Sequence, residues 1–326
     1  MKKKVLIVRL DAIGDYVLWR NCLRFLRNSR KYRDAHITIL GNPAWRNLAE
    51  SFDSDCADEW TWATDRGELF RKSIENLYPR WIWHRRVRKA QSNIRNKILS
   101  MGFDEVISPV AFRDPLLDEL VAGLAPSVVG VAQCGENFSP CYTRLVCAGG
   151  DSFVFLRNRN IVAELTGEKC EERLDLVLPR TPARKNRVLF FTGASHWTRR
   201  WPICRWQELS TRLPPGLEAE YAVMTGSLSA FVAQVASSVA VVSNDTMALH
   251  VAAALGIPAV GVTNGVSGKD SFWPYPASLG KRVAVCVPEN IPTISIPLLG
   301  SRLAQYMALS SISAECVAKK LNKMLN

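Results

Sequence analysis

The sequence has no long hydrophobic run, since none of its apolar stretches approaches the roughly 18 residues that a membrane-spanning helix needs. After Lys2-Lys3-Lys4, the apolar stretch Val5-Leu6-Ile7-Val8 ends at Arg9, too soon for the hydrophobic segment of a signal peptide. The sequence also has no Cys-x-x-Cys pair, so its nine scattered cysteines predict neither a zinc knuckle nor a thioredoxin-type dithiol. We therefore expect a cytoplasmic protein with buried free thiols and no metal.

Acidic residues are too few to balance the basic ones. The chain of 326 residues has 42 lysines and arginines against 30 aspartates and glutamates, which gives a formal net charge of +12. Such an excess implies an anionic partner: a nucleic acid, a phosphate-rich small molecule or an acidic membrane surface. No recognised nucleic-acid-binding motif accompanies the charge, which disfavours the first of these.

Apolar runs of strand length alternate with helical patterns in both halves of the chain, which is typical of mostly parallel sheets covered by helices on both faces. Lys4–Arg9 is the first of the predicted strands, and Tyr221–Met224 is one of the later ones. We therefore predict an α/β protein with two Rossmann-like halves. The predicted divisions are an N-terminal domain over 1–178, a proline-punctuated linker over 179–186, a C-terminal domain over 187–310 and a terminal helix over 311–326.

Three polar loops follow predicted strands, at the sheet edge where open α/β proteins bind ligands. The first loop, Arg9–Asp15, lacks the glycines of a dinucleotide-binding fingerprint. Gly14 would let the backbone approach a ligand closely, and Asp15 stands where the next helix begins. Asp15 is therefore either the cap of that helix or a general base, and the residues alone leave both interpretations open.

The second loop, 192–202, places small residues and two arginines ahead of a helix that starts after Pro202. Arg199 is a candidate for charge-assisted hydrogen bonds to phosphate, and the Ser195 hydroxyl could add another. A surface loop whose arginines are only solvated fits the same residues equally well.

The third loop lies within the stretch 239–262, where a short apolar run, a polar turn and an alanine-rich helix follow one another. A helix N-terminus at the edge of a sheet binds anions, because its unpaired amides and its dipole both point at the ligand. An ordinary strand–helix unit capped by Asp245 or Thr246 is the alternative, with about equal weight.

The segment between Glu75 and Asp104 contains no acidic residue. Its apolar residues from Trp83 to Ile98 are spaced by steps of three and four, so one face of the predicted helix is apolar and the others are basic. This pattern favours contact with a membrane surface or an anionic glycolipid, but a solvated basic helix packed on the core has the same pattern. The candidate contact residues are Arg85, Arg86, Arg88 and Lys89.

Three motifs, one in each loop, together resemble a known family. They read G-A-S-x-x-x-[KR]-x-W-P over Gly193–Pro202, N-D-T-x-x-x-H-x-A-A-A-L-G-x-P over Asn244–Pro258, and V-L-I-V-R-x-x-x-x-G-D over Val5–Asp15. In this order and over nearly the whole chain, they resemble the ADP-heptose:lipopolysaccharide heptosyltransferases of glycosyltransferase family 9.

The resemblance implies the GT-B architecture, in which two Rossmann-like domains face each other across a cleft and the C-terminal helix packs back on the first domain. It also implies an inverting, metal-independent enzyme without a cofactor. Such an enzyme moves a heptose-like sugar from a nucleotide-diphosphate donor to lipopolysaccharide or another surface glycan. The expected location is cytoplasmic or peripheral on the inner face of the cytoplasmic membrane, and the oligomeric state is left open.

Carried over to this chain, the resemblance makes Asp15 the base that deprotonates the acceptor hydroxyl. Arg199 would neutralise the departing diphosphate. His250 matches a histidine of the family, although a lone histidine in an alanine-rich helix is as readily structural. The residues expected to bind the donor phosphates are Gly14, Ser195, Arg199, Asp245, Thr246 and Met247.

Two departures from the family pattern keep other functions open. Met247-Ala248 stands where the family commonly has Gly-Pro, and only Thr225-Gly226-Ser227 resembles the turn that carries a nucleoside-binding acid in the family. One strand–helix unit is therefore expected to be shortened. The alternatives are a sugar-nucleotide epimerase or hydrolase of the same fold, or a degenerate transferase that binds a nucleotide sugar or glycan without turnover.

Overall fold

The structure, a computed structural model, describes residues 2–63, 80–133, 135–150, 153–180, 182–222, 227–264, 283–289 and 298–325. The chain divides into two units, Met1–Glu171 and Glu172–Asn326. This division precedes the linker that the sequence analysis expects at 179–186. Residues just after the division already pair with the second unit, because the Leu176 amide donates to the Ala254 carbonyl at 2.8 Å.

The first unit is built on a six-stranded parallel sheet. Its strands are β1 (Lys4–Arg9), β2 (His36–Gly41), β3 (Glu59–Trp62), β4 (Glu105–Ile107), β5 (Ser127–Val131) and β6 (Arg144–Val146), in the spatial order β3-β2-β1-β4-β5-β6. The helices described in this unit are α1 (Ile13–Asn28), α2 (Arg46–Phe52), α3 (Arg80–Met101), α4 (Pro115–Val121) and α5 (Val154–Thr166). Strands and helices alternate, which confirms the α/β class for this half.

β1 lies at the centre of this sheet, paired in parallel with β2 on one side and β4 on the other. Val5, Leu6, Ile7 and Val8 are fully buried, as an apolar run with helices on both faces requires. The chain leaves β1 at Arg9 and enters α1 at Ile13, so the short loop between them, with Asp15 in the first turn of α1, lies at the carboxyl edge of the sheet.

The second unit is built on a five-stranded parallel sheet. Its strands are β7 (Arg187–Phe191), β8 (Glu218–Tyr221), β9 (Ala240–Asn244), β10 (Ala259–Val262) and β11 (Val283–Cys286), in the spatial order β11-β10-β9-β7-β8. The helices described in it are α6 (Ile203–Ser210), α7 (Leu228–Ala236), α8 (Met247–Ala254), α9 (Leu298–Ser311) and α10 (Ala314–Leu325). β8 ends where the sequence analysis expects a strand to begin, at Tyr221.

The carboxyl ends of the central strands of this second sheet are aligned. Ser243 on β9 pairs with Phe191 on β7, and Asn244 pairs with Val262 on β10. Every residue of β9 is buried. Since the polar loops at 192–202 and 243–247 leave from neighbouring strand ends, they meet at one edge of the sheet.

The apolar face of the C-terminal helix α10 packs on the second unit. The sequence analysis expects its apolar face to pack back on the first domain. In the structure, Val317, Ala318 and Leu321 of this face are buried in the core of the second unit, and the helix packs against α6, β10 and β11. The parallel sheet of the second unit needs a helix over this part of its face, and α10 supplies it.

Candidate functional site

Asn244 organises the candidate site at the carboxyl edge of the second sheet. It is the last residue of β9 and is fully buried. Its amide nitrogen donates to the Thr192 carbonyl at 2.7 Å, and its amide oxygen accepts from the Trp201 backbone amide at 3.0 Å. Both ends of the 192–202 loop are therefore anchored by one side chain that belongs to the next loop.

Three of the predicted phosphate-binding residues come together in this edge. Arg199, at the end of the 3-10 turn Trp197–Arg199, donates a hydrogen bond from Nη2 to Ser195 Oγ. Its Nη1 lies 3.8 Å from Oδ2 of Asp245. The Arg199 side chain is 36% exposed and that of Asp245 is 7% exposed. The guanidinium is thus oriented by its neighbours, while about one third of the whole Arg199 side chain is exposed.

Hydrogen bonds from neighbouring side chains hold the backbone that carries Arg199. Nδ1 of His196 accepts from the Thr198 amide at 3.3 Å and lies 2.8 Å from the Thr198 hydroxyl. Thr198 is buried, and its carbonyl accepts from Nδ2 of Asn264 at 3.4 Å. Arg200 lies on the exposed side of the same loop and donates from Nε to the Ala194 carbonyl at 3.1 Å. The two arginines therefore have different surroundings, and only Arg199 faces Asp245.

Thr246 caps helix α8. Its hydroxyl accepts from the Ala248 amide at 3.3 Å and lies 2.9 Å from the Ser243 hydroxyl. The ordinary capping role considered from the sequence is therefore present. Capping satisfies only part of a helix start, because the first backbone amides of a helix have no acceptor within it. The amide of Met247, the first residue of α8, is one of these, and the helix dipole favours an anion beside it.

His250 lies on α8 with 5% of its surface exposed. Burial lowers the pKa of its imidazole to about 3, because the charged form loses its hydration. The side chain is therefore neutral at physiological pH. Its burial and its neutral form favour the structural interpretation that was weighed from the sequence.

Gly14 and Asp15 belong to the first unit, at the start of α1. Asp15 is partly exposed, and its Oδ2 accepts from the Ala12 amide at 3.0 Å. The helix-capping interpretation is thus confirmed. A capping bond does not by itself exclude a role as a base, since a carboxylate has about four lone-pair positions.

The sequence analysis missed the buried pair that supports this loop. Arg9 is 1% exposed; its Nε donates to Asp11 Oδ2 at 2.9 Å and its Nη1 donates to the Pro109 carbonyl at 3.1 Å. The guanidinium also lies 4.7 Å from the ring centroid of Trp19. The Asp11 carbonyl accepts from Nδ2 of Asn42 at 2.7 Å. Arg9 directly follows four apolar residues of a predicted buried strand, and this position could have indicated that its charge needs an acidic partner.

The basic helix α3 packs by its apolar stripe. Ile94 and Ile98 are buried in the core of the first unit, while Arg88 and Lys89 are exposed. Farther along, Arg95 Nη1 donates to the Leu120 carbonyl at 3.0 Å. Arg85 and Arg86 lie outside the described side chains. Within the described chain, none of the helices is long and apolar enough to cross a membrane.

No protein-family model and no curated protein sequence matches this chain. Solved structures match it over its full length. One is the E. coli heptosyltransferase WaaC with ADP-2-deoxy-2-fluoro heptose, which is 17% identical with a TM-score of 0.68, over 98% of this chain and 99% of that one. Another is a glycosyl transferase of family 9 from Veillonella parvula, which is 17% identical with a TM-score of 0.70, over 100% and 98%.

The fold is that of the family 9 glycosyltransferases. A third structure agrees: E. coli ADP-heptose lps heptosyltransferase II is 17% identical with a TM-score of 0.60, over 100% of this chain and 98% of that one. These likenesses confirm the α/β, GT-B fold class predicted from the sequence. At such low identity they establish the fold and leave the chemistry to be argued from the site.

Proposed function

We propose that this protein is an inverting, metal-independent glycosyltransferase that moves a heptose-like sugar from a nucleotide-diphosphate donor to lipopolysaccharide or another surface glycan. The observation that carries the proposal is the cluster of Ser195, Arg199 and the start of α8 at adjacent strand ends of the second unit. A cation, a hydroxyl and the first backbone amide of a helix at one sheet edge form a set of donors suited to a diphosphate.

The role of the cluster is to stabilise the leaving group. When the bond between the sugar and the diphosphate breaks, negative charge grows on the phosphate oxygens. Donors that are already oriented, such as the Met247 amide and the Arg199 guanidinium, stabilise that charge without reorganising. Removing one donor of this kind typically costs about 3–4 kcal/mol in the barrier.

Asp15 is the proposed base toward the acceptor hydroxyl. Its backbone is fixed in the first turn of α1, its side chain is partly exposed, and a carboxylate is a suitable general base. The loop before it is held by the buried pair of Arg9 and Asp11. Gly14, next to Asp15, is proposed to let the donor approach the backbone.

Contact with the membrane or glycolipid is proposed for the exposed basic face of α3. Arg88 and Lys89 are the part of this face whose side chains are described, and both are exposed. Charge reversal at these two positions should reduce binding to vesicles that contain anionic lipid, and the loss should shrink as salt rises. Equal binding of the variant and the wild type at low salt would show that this basic face does not contact the membrane.

The decisive experiment has two stages. A thermal-shift screen of nucleoside diphosphates and nucleotide sugars first identifies the donor, since a ligand at about 100 times its Kd stabilises by roughly 2.7 kcal/mol. The selected donor is then incubated with a lipopolysaccharide core acceptor, with and without a chelator, and the product is analysed for mass and anomeric configuration. An inverted glycoside formed in the presence of the chelator is the expected product.

The same assay separates the alternatives. Free sugar formed independently of acceptor would identify a hydrolase, and an isomerised donor would identify an epimerase. Stable donor binding with no product under any acceptor would identify a binding protein. Each of these results would overturn the transferase proposal.

A further inference from the structure

Two cysteines of the second unit have sulfur atoms 3.9 Å apart. Cys286 ends strand β11 and is buried, and Cys316 lies in the first turn of α10 and is exposed. A disulfide bond requires a separation of about 2.05 Å, so side-chain rotation or a movement of the backbone has to close the difference. Neither cysteine belongs to the cluster around Arg199, and the sequence spacing of 30 residues gave no hint of the pair.

The surroundings give a reagent access to one sulfur. A cavity of about 450 Å³ opens beside Cys316 and is lined also by Val287, Met307 and Ser311. Cys286, in contrast, is covered by the packing of β11 and α10. Burial raises the pKa of its thiol to about 12, so it is rarely a thiolate at neutral pH. The exposed Cys316 is therefore the sulfur that reacts first, and Cys286 is placed to react second.

We propose that Cys286 and Cys316 form an oxidisable dithiol, a modification site for low-molecular-weight disulfides such as oxidised glutathione. The Cys316 thiolate attacks one sulfur of the reagent, whose S–S bond breaks, and one glutathione thiolate leaves. Cys286 then loses its proton to water and attacks Cys316 Sγ, releasing the second glutathione thiolate. Two cysteine thiols are thereby oxidised, and one molecule of oxidised glutathione is reduced to two thiols.

The bond would link two elements that support the candidate site. The Cys286 carbonyl accepts from the Thr263 amide at 3.1 Å. The next residue, Asn264, donates to the carbonyl of Thr198, which precedes Arg199. Just before α10, the Ile312 carbonyl accepts from Nε1 of Trp201 at 3.0 Å. A link that closes this stretch of chain restricts the unfolded state, so the oxidised protein should melt at a higher temperature than the reduced protein.

The test uses the full-length protein in buffers with stepped ratios of oxidised to reduced glutathione. Free thiols are then alkylated under denaturing conditions, and the digest is analysed by mass spectrometry without reduction. The expected product is one peptide pair joined through Cys286 and Cys316. A matched control is the pair Cys22 and Cys170, whose thiols are hydrogen-bonded to each other but are both buried in the first unit, and which should remain reduced.

Two variants make the result decisive. Cys316→Ser, at an exposed position, should fold normally, form no cross-link and show no change of melting temperature on oxidation. Cys204→Ser, which removes another exposed cysteine, should cross-link and gain thermal stability as the wild type does. Oxidation that stops at a glutathione adduct on Cys316, or that leaves both thiols free at the most oxidising ratio, would refute the proposal. Neither outcome bears on the transferase activity, which is assayed separately.

Discussion

Replacing Arg199 by alanine should weaken the binding of a nucleoside diphosphate roughly 30- to 150-fold. Hydrogen bonds to charged groups contribute about 1.5–3 kcal/mol, and each 1.4 kcal/mol is a factor of ten in affinity. The upper part of this range applies here, because the substitution removes the cation and leaves the Asp245 carboxylate in place. That carboxylate is 7% exposed and lies 3.8 Å from the guanidinium, so its negative charge would stay close to the proposed phosphate site after the substitution.

The contribution of Asp245 can be measured by a double-mutant cycle. Asp245→Asn keeps the size of the side chain and removes its charge. We expect this change alone to leave the affinity nearly unchanged, and in the background of Arg199→Ala to restore affinity about fivefold. The difference between the two backgrounds corresponds to about 1 kcal/mol of coupling. If the fold-changes in affinity of the two single variants multiply to give that of the double variant, then the two side chains act on the ligand independently.

Calorimetric titration with the nucleoside diphosphate selected in the screen gives the affinities, and Arg200→Ala is the matched control. Arg200 is one residue away and carries the same charge, but it lies exposed on the other side of the loop. Its loss should weaken binding no more than threefold, about the contribution of a solvated surface charge. An equal loss in both variants would show that general charge attracts the ligand, and no loss in Arg199→Ala would refute the assignment of this site.

Three further outcomes are expected. Asp15→Asn should lower the transfer rate about 10²- to 10⁴-fold with donor affinity unchanged in titration, and wild-type turnover would exclude it as the base. Asn244→Ala should lower the free energy of unfolding in urea by about 2–4 kcal/mol, because it removes the hydrogen-bond partner of the Thr192 carbonyl and of the Trp201 amide. A decrease below about 0.5 kcal/mol, which is typical of a surface substitution, would contradict its anchoring role. His250, with its pKa lowered to about 3, stays neutral in the folded state while the unfolded chain protonates below about pH 6.5. Unfolding free energy should therefore fall by up to about 1.4 kcal/mol per pH unit below that value, and a slope that persists in His250→Gln would refute this source.

Much of the fold could be predicted because buried parallel strands are uniform apolar runs. Val5 to Val8 and Val239 to Val242 are such runs, and the structure places strands at both. The strand Glu218–Tyr221 was placed three residues too late, since it lies at the edge of its sheet and its sequence Glu-Ala-Glu-Tyr has no apolar run. The short edge strand Arg144–Val146 and the helix Val154–Thr166 were not anticipated either.

The candidate site was predicted less completely, for a different reason. Sequence spacing identifies which loops leave a sheet edge, so Ser195, Arg199 and the start of α8 could be grouped. It does not show which side chains neutralise or orient one another. The pairing of Arg199 with Asp245, and the two bonds of Asn244 to the neighbouring loop, depend on the order β9-β7 in the sheet, which no local pattern specifies.

The three letters of the Asn-Asp-Thr motif have three different physical roles here. Asn244 joins two loops, Asp245 sets the charge beside Arg199, and Thr246 caps α8. The first and third roles are architectural, so a match at those positions indicates that the loops have this geometry whatever reaction they serve. For the Asp245 position, in contrast, we expect the charge balance with Arg199 to affect the affinity for a diphosphate.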